Sequence, residues 1–326
     1  MYDRTLKRGA SPARAFLFAC LGAVLLAILL TSALQLPAVT ALSPWLGLGT
    51  VGLLILGSLV YILAPLFSRQ EDVRAQEAYG THRDVLANIV SAVVLGNLIL
   101  LPLLLILLVA TGFIPLDIPA GAGPQQVLTG IVDLVQTSQS LLVVVALVGL
   151  DIALLAVVYL RTLRTGATTE REMGLVGSHF LRNFGLGVLG AVVILVISVA
   201  IGLALTQFGV QQTQTEELAI TSASPNVFYM LLISGGLIAP FAEEIFFRGY
   251  VFRSYLETMG PVRAYLLSAF VFGILHLNAA AFLPLFVIGL VLAFLYHRSG
   301  SLVPSMVAHS LNNVAALVLA YYATGM

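Results

Sequence analysis

Five ionisable side chains lie inside otherwise apolar stretches of this chain: Asp151, Glu243, Glu244, His276 and His309. In hydrocarbon each costs about 2.5–3.5 kcal/mol by insertion scales unless it is paired or faces a wet cavity, so such residues mark candidate chemistry. Four of them fall in the last third, in three clusters. The stretch PFAEEIFFRG holds Glu243, Glu244 and Arg248. On a helix Glu244 and Arg248 share a face and can pair as ions, which leaves Glu243 turned away and free. AFVFGILHL places Phe272 and His276 one helical turn apart, and GSLVPSMVAHSLNNV does the same for His309 and Asn313.

A carboxylate beside an imidazole can take a proton from water and make a nucleophile. A second imidazole and an amide can donate hydrogen bonds to the oxyanion of a tetrahedral intermediate. Glu243, His276 and His309 are also candidate ligands for Zn2+, whose catalytic sites combine three protein ligands with an open position. Both readings give hydrolysis of an acyl compound, with a peptide bond the foremost candidate. The sequence contains no His-Glu-x-x-His, no Gly-x-Ser-x-Gly and no P-loop motif. Its single cysteine, Cys20, excludes an intrachain disulfide and reads as a small buried hydrophobe.

The elements that must hold these groups are membrane spans. Only 15 Lys or Arg and 15 Asp or Glu occur in 326 residues, while 60% are hydrophobic. That composition excludes a soluble globule, a disordered chain and a nucleic-acid binder. Runs of about 20 apolar residues predict an all-α, polytopic transmembrane bundle of nine spans. They lie near 15–34, 46–67, 86–110, 140–160, 184–206, 227–247, 264–281, 283–297 and 302–324. The eighth is short and begins at Pro284, so eight full spans is the alternative count. The basic N-terminus followed by a long apolar run reads as a retained first span rather than a cleaved signal. All 15 basic residues fall in the connections on one side of this map. The positive-inside rule then predicts a cytoplasmic N-terminus and an extracytoplasmic C-terminus, in the cytoplasmic membrane. Counted from the inner boundary, the three clusters lie about 7–18 Å deep and can converge in one cavity. The polar stretch 207–226 suggests a boundary between a five-span region, 1–206, of unknown role and a core, 227–326.

At these residues the sequence resembles the CPBP intramembrane proteases, also called the Abi or CAAX-protease-like family, which includes type II CAAX prenyl endopeptidases. The motifs Glu243-Glu244-x-x-x-Arg248, Phe272-x-x-x-His276 and His309-x-x-x-Asn313 occur intact and in order. The resemblance covers roughly 227–320 and does not extend to the first five spans. It implies that Glu243 is the general base with His276 as its partner. Glu244 would be a second acid held by Arg248, and His309 with Asn313 would stabilise the oxyanion. It also implies a peptide or membrane-protein substrate, prenylated in some family members. The family is usually filed as metalloproteases, yet a metal-free glutamate mechanism fits the same residues. Few strong ligands and the nearby Arg248 favour the metal-free version.

Two other readings compete. A proton- or ion-coupled transporter would use Glu243, Glu244 and Asp151 as ion sites, but would spread polar residues through both halves of the membrane. A non-catalytic immunity or scaffold protein could keep the same fold. Phe272 reads as packing support. Asp151 reads foremost as an interhelical hydrogen bond, with a substrate or proton role as its alternative. The glycines of GLGTVGLLILG and GLGVLGAVVIL suit close helix packing.

Overall fold

The structure is a computed structural model, and it describes residues 12–34, 37–67, 80–116, 118–119, 121–175, 179–209 and 225–323. Most of the polar connection 207–226, with Glu216 and Glu217, lies outside the described residues, as do Asp117, Lys7, Arg69 and Arg74.

The described residues form ten helices and no strand. These are α1 (Pro12–Leu34), α2 (Pro37–Phe67), α3 (His82–Ala110), α4 (Pro124–Thr137) and α5 (Gln139–Leu163), followed by α6 (Phe180–Gln207), α7 (Pro225–Met259), α8 (Pro261–Ile274), α9 (Phe282–Ser299) and α10 (Val303–Ala323). Among them, seven stretches are long and apolar enough to cross a membrane, and shorter apolar helices cover Ala13–Leu25 and Pro261–Ile274. The protein is an all-α integral membrane bundle.

The short element is the seventh, not the eighth as the apolar run suggested. α9 has 18 residues despite Pro284, while α8 stops after 14. At about 1.5 Å per residue α8 reaches only ~21 Å, well short of the ~30 Å hydrocarbon core. Turn chemistry stops it. Leu277 adopts a left-handed φ of 52°, and the Asn278 side chain accepts the Ala281 amide at 3.0 Å, where α9 is about to begin. His276 therefore sits in a break between two helices instead of on a helical face.

Helix α5 is central. It packs against α3 on one side and against four successive parts of α7 on the other. α3 and α5 cross closely because glycines meet there: a Cβ on Gly96 would lie 2.9 Å from Leu150 Cα, and one on Gly149 would lie 3.2 Å from Gly96 O. α7 packs against α8, α9 and α10, and α6 packs against α9 and α10. The fifth span, grouped with the N-terminal region from sequence, thus lies against helices of the core. Gly187 and Gly190 make that contact possible. A Cβ on Gly187 would lie 2.8 Å from Pro304 O, and one on Gly190 would lie 2.5 Å from Leu295 Cδ1. Cys20 is buried beside Gly57, as a small hydrophobe would be.

Arg14, Arg161 and Arg253 gather at one end of the bundle. Arg14 Nη1 donates to both carboxylate oxygens of Asp84 at 2.9 Å, tying α1 to the start of α3. Arg161 donates to Tyr61 O, and Arg253 donates to Glu172 O in the connection after α5. Ser254 reaches Gly80 O at the same end. Outside the spans, hydrogen bonds from the Thr169 amide and hydroxyl hold the exposed Glu172 carboxyl below its ordinary range.

Several helices contain π-helical turns, two of them within α7 at Ser234–Ile238 and Ile245–Phe252. The first precedes Pro240, as another π turn, Leu95–Leu100, precedes Pro102. Proline has no N–H for the carbonyl one turn back, so widening the preceding turn gives those carbonyls other geometry. Single π turns inside α-helices concentrate at functional sites. In α7 the two flank Ala239–Glu244, the short α-helical segment that carries both glutamates.

Candidate active site

Glu244 and Arg248 form the buried centre of the three clusters. Their side chains are 0% and 1% exposed, and Arg248 Nη1 donates to Glu244 Oε1 at 2.7 Å. The same oxygen faces His309 Nδ1 at 2.9 Å. Since an ionised carboxylate only accepts, the proton of that contact belongs to Nδ1. Arg248 also reaches Gly289 O at 3.3 Å on α9, and its guanidinium lies 4.5 Å from the Phe272 ring centre. A charge buried this deeply persists only when paired and hydrogen-bonded.

Glu243 differs from its neighbour, as the sequence spacing requires. Its side chain is 17% exposed and its Oε2 lies 3.9 Å from His309 Nε2, too long for a hydrogen bond. That oxygen has no hydrogen-bond partner among the described residues. Glu243 is thus the partly exposed side chain with an unpartnered oxygen and Glu244 the fixed one, with His309 beside both.

His276 approaches from the break after α8. Its Nδ1 lies 2.7 Å from Phe272 O, so Nδ1–H donates there and Nε2 is left as an acceptor. It makes no hydrogen bond to Glu243 among the described residues. The pairing expected from the resemblance is therefore not a direct contact, and His309 is the imidazole nearest Glu243. The ring of Phe272 ties the clusters together. It is fully buried and stands edge-on to His276 at 4.9 Å, to Phe247 at 5.2 Å and to His309 at 5.5 Å. A residue expected only to pack is the common wall of the site.

Asn313 lies one turn beyond His309 on α10, and its Nδ2 donates to Gly235 O at 3.0 Å. That carbonyl belongs to the first π turn of α7. One amide hydrogen is thereby used for positioning, and the second is left for another acceptor. Gly236 permits the approach, since a Cβ there would lie 3.0 Å from Val314 Cγ2.

Glu243, His276 and His309 do not converge as ligands: among the described residues no group of three His, Cys, Asp or Glu side chains could hold a metal ion. The buried Arg248 adds a positive charge beside Glu244. The donor set as arranged does not fit Zn2+, and no step below runs through a metal.

The sequence marks Asn88 as a notable amide inside a span but does not show its partner. Asn88 of α3 donates to the hydroxyl of Tyr250 on α7, across 162 residues of chain. Asp151 does not make the interhelical hydrogen bond expected of it, and its Oδ2 has no partner among the described residues.

Comparisons with known proteins point the same way. The chain is 26% identical over 161 residues to the Bacillus subtilis (strain 168) protein named "Putative membrane peptidase YdiL", an alignment covering 48% of this chain and 61% of that protein. No solved structure matches the chain significantly. Residues 225–315, which contain all three clusters, match the model of the type II CAAX prenyl endopeptidase Rce1-like family, so over that stretch the resemblance carried by the motifs holds.

Proposed function

We propose that the protein is an intramembrane endopeptidase in which Glu243 activates water for attack on a peptide bond. The observation that carries this reading is the division between adjacent glutamates: Glu244 is locked by Arg248 and His309, while Glu243, in a partly exposed side chain, keeps an oxygen without a partner among the described residues beside the same imidazole. A general base needs a free lone pair within reach of water, and Glu243 has one.

Water held by Glu243 loses a proton to it as its oxygen bonds to the carbonyl carbon, while the acceptor Nε2 of His276 takes a hydrogen bond from the substrate amide. His309 in its imidazolium form donates from Nε2, and Asn313 donates its second amide hydrogen, to the oxyanion. The proton on Glu243 then passes to the leaving amine as the C–N bond breaks.

The basic end of the bundle lies on the cytoplasmic side in this reading, by the positive-inside rule. The site then opens within the inner half of the membrane. The substrate is a membrane-associated peptide or protein, and the family match makes a prenylated C-terminus the first to try. The clustering of the ionisable residues at one depth supports an enzyme over an ion path. Comparative peptidomics of native membranes holding wild type, Glu243→Ala or His276→Ala tests the reading. Peptides that disappear in both variants, with each variant folded and inserted, support it; an unchanged peptidome overturns it.

A further inference from the structure

Of the ionisable residues that the sequence places inside spans, Asp151 alone lies outside the stretch that matches a family. It is 3% exposed, on a helix packed against α2, α3, α4 and α7. An unpartnered carboxylate oxygen there costs several kcal/mol, and an apolar side chain would avoid that cost. A purely structural aspartate would spend its oxygens on a neighbouring helix, yet no hydrogen bond from another helix reaches it among the described residues.

Its position is specific. α5 packs against Ala239–Glu244, the segment of α7 that carries both glutamates. Arg161 and Arg253 belong to the same end of the bundle, bonded to Tyr61 O and Glu172 O. Asp151 precedes Arg161 by ten residues, and Glu243 precedes Arg253 by ten. At about 1.5 Å per residue both carboxylates lie ~15 Å below that end, at one depth. Each has an oxygen that is buried and without a partner.

We infer that Asp151 is a further catalytic residue, which with Glu243 holds the attacking water between α5 and α7. The inference rests on the reading of Glu243 as the base. One water hydrogen donates to Glu243, which takes that proton as the oxygen bonds to the carbonyl carbon. The other donates to Asp151, which accepts the hydrogen bond, takes no proton and aims the oxygen lone pair at the carbonyl. The site is then completed by a helix from the part of the chain that the family match does not cover.

The test compares wild type, Glu243→Gln, Asp151→Asn and Asp151→Leu in native membranes, with thermal unfolding and infrared spectra of each purified protein in lipid. Asp151→Leu is expected to unfold at or above the wild-type temperature while Glu243-dependent products form at least tenfold more slowly. Asp151→Asn, which still accepts a hydrogen bond, should retain more turnover than Asp151→Leu. The infrared carboxylate bands that Glu243→Gln removes should shift in Asp151→Leu. Wild-type turnover in Asp151→Leu, or loss of stability in step with activity, overturns the inference. So does an unmoved Glu243 band, which reads the coupling even if no substrate is cleaved. An unchanged peptidome in Glu243→Gln would overturn the protease reading instead, so the two failures are distinct.

Discussion

Replacing Arg248 by methionine leaves Glu244 buried with one partner fewer. Among the described residues Glu244 Oε2 already has no hydrogen bond, and Oε1 would keep His309 Nδ1 at 2.9 Å. Gly289 O would lose its 3.3 Å donor, and Phe272 would lose the cation 4.5 Å from its ring centre. Breaking a fully buried pair typically costs about 3–5 kcal/mol because one charge is stranded. The ring contact supplies roughly 1 kcal/mol of that. Reversible unfolding in mixed micelles should therefore show Arg248→Met destabilised by about 3–5 kcal/mol, a factor on the order of 10²–10³ in the folded ratio. The double variant Glu244→Gln/Arg248→Met strands no charge and should recover most of the loss. It should not recover activity, because Glu244 no longer fixes His309. An Arg248→Met protein within about 0.5 kcal/mol of wild type would refute the buried pair as the site's anchor. A double variant as unstable as the single one would refute it as well.

Gly187→Ala should cost about 1–3 kcal/mol by overpacking α6 against Pro304 and Val307, whereas Gly185→Ala, with open space around it, should stabilise α6 by about 0.5–1 kcal/mol; thermal unfolding of both tests the contact. Tyr250→Phe should cost about 1–3 kcal/mol by stranding the Asn88 amide, and Asn88→Leu/Tyr250→Phe should cost less than the sum of its parts in the same assay. His309→Gln should lower turnover by about 10²–10³ with near-normal insertion, measured on the products that depend on Glu243. In a pH titration of the Glu172 carboxylate by NMR, Thr169→Val should move the midpoint up toward the ordinary 4.5. Because the folded value is the lower one, the hold on that connection is present above the ordinary value and fades as pH falls through the folded one.

The membrane character was readable from the chain, and so was the meeting of the three motifs. Charges are so few that each one inside an apolar run had to be explained, and the Glu244–Arg248 spacing correctly implied an ion pair. The fine geometry was not readable, for reasons that lie in tertiary contacts and turn chemistry. Hydropathy cannot distinguish a helix from an apolar break, so the end of α8 at Ile274 was missed; Asn278 was the available signal. Adjacent glutamates on one helix do not announce which of them an imidazole from α10 will meet. Phe272 looked like packing because its four neighbours come from two helices and the break after α8. Proline at 240 and 102 carried a hint of the widened turns before them, and Gly235-Gly236 carried a hint of the close approach of α10.

The central claim is that Glu243 makes water attack a peptide bond. Native membranes incubated in H2(18)O with wild type or Glu243→Gln test it most directly, by mass spectrometry of the new peptide C-termini. The account predicts 18O-labelled C-termini with wild type that are absent with a folded Glu243→Gln. The same labelled termini appearing with both proteins, or with neither, would contradict it.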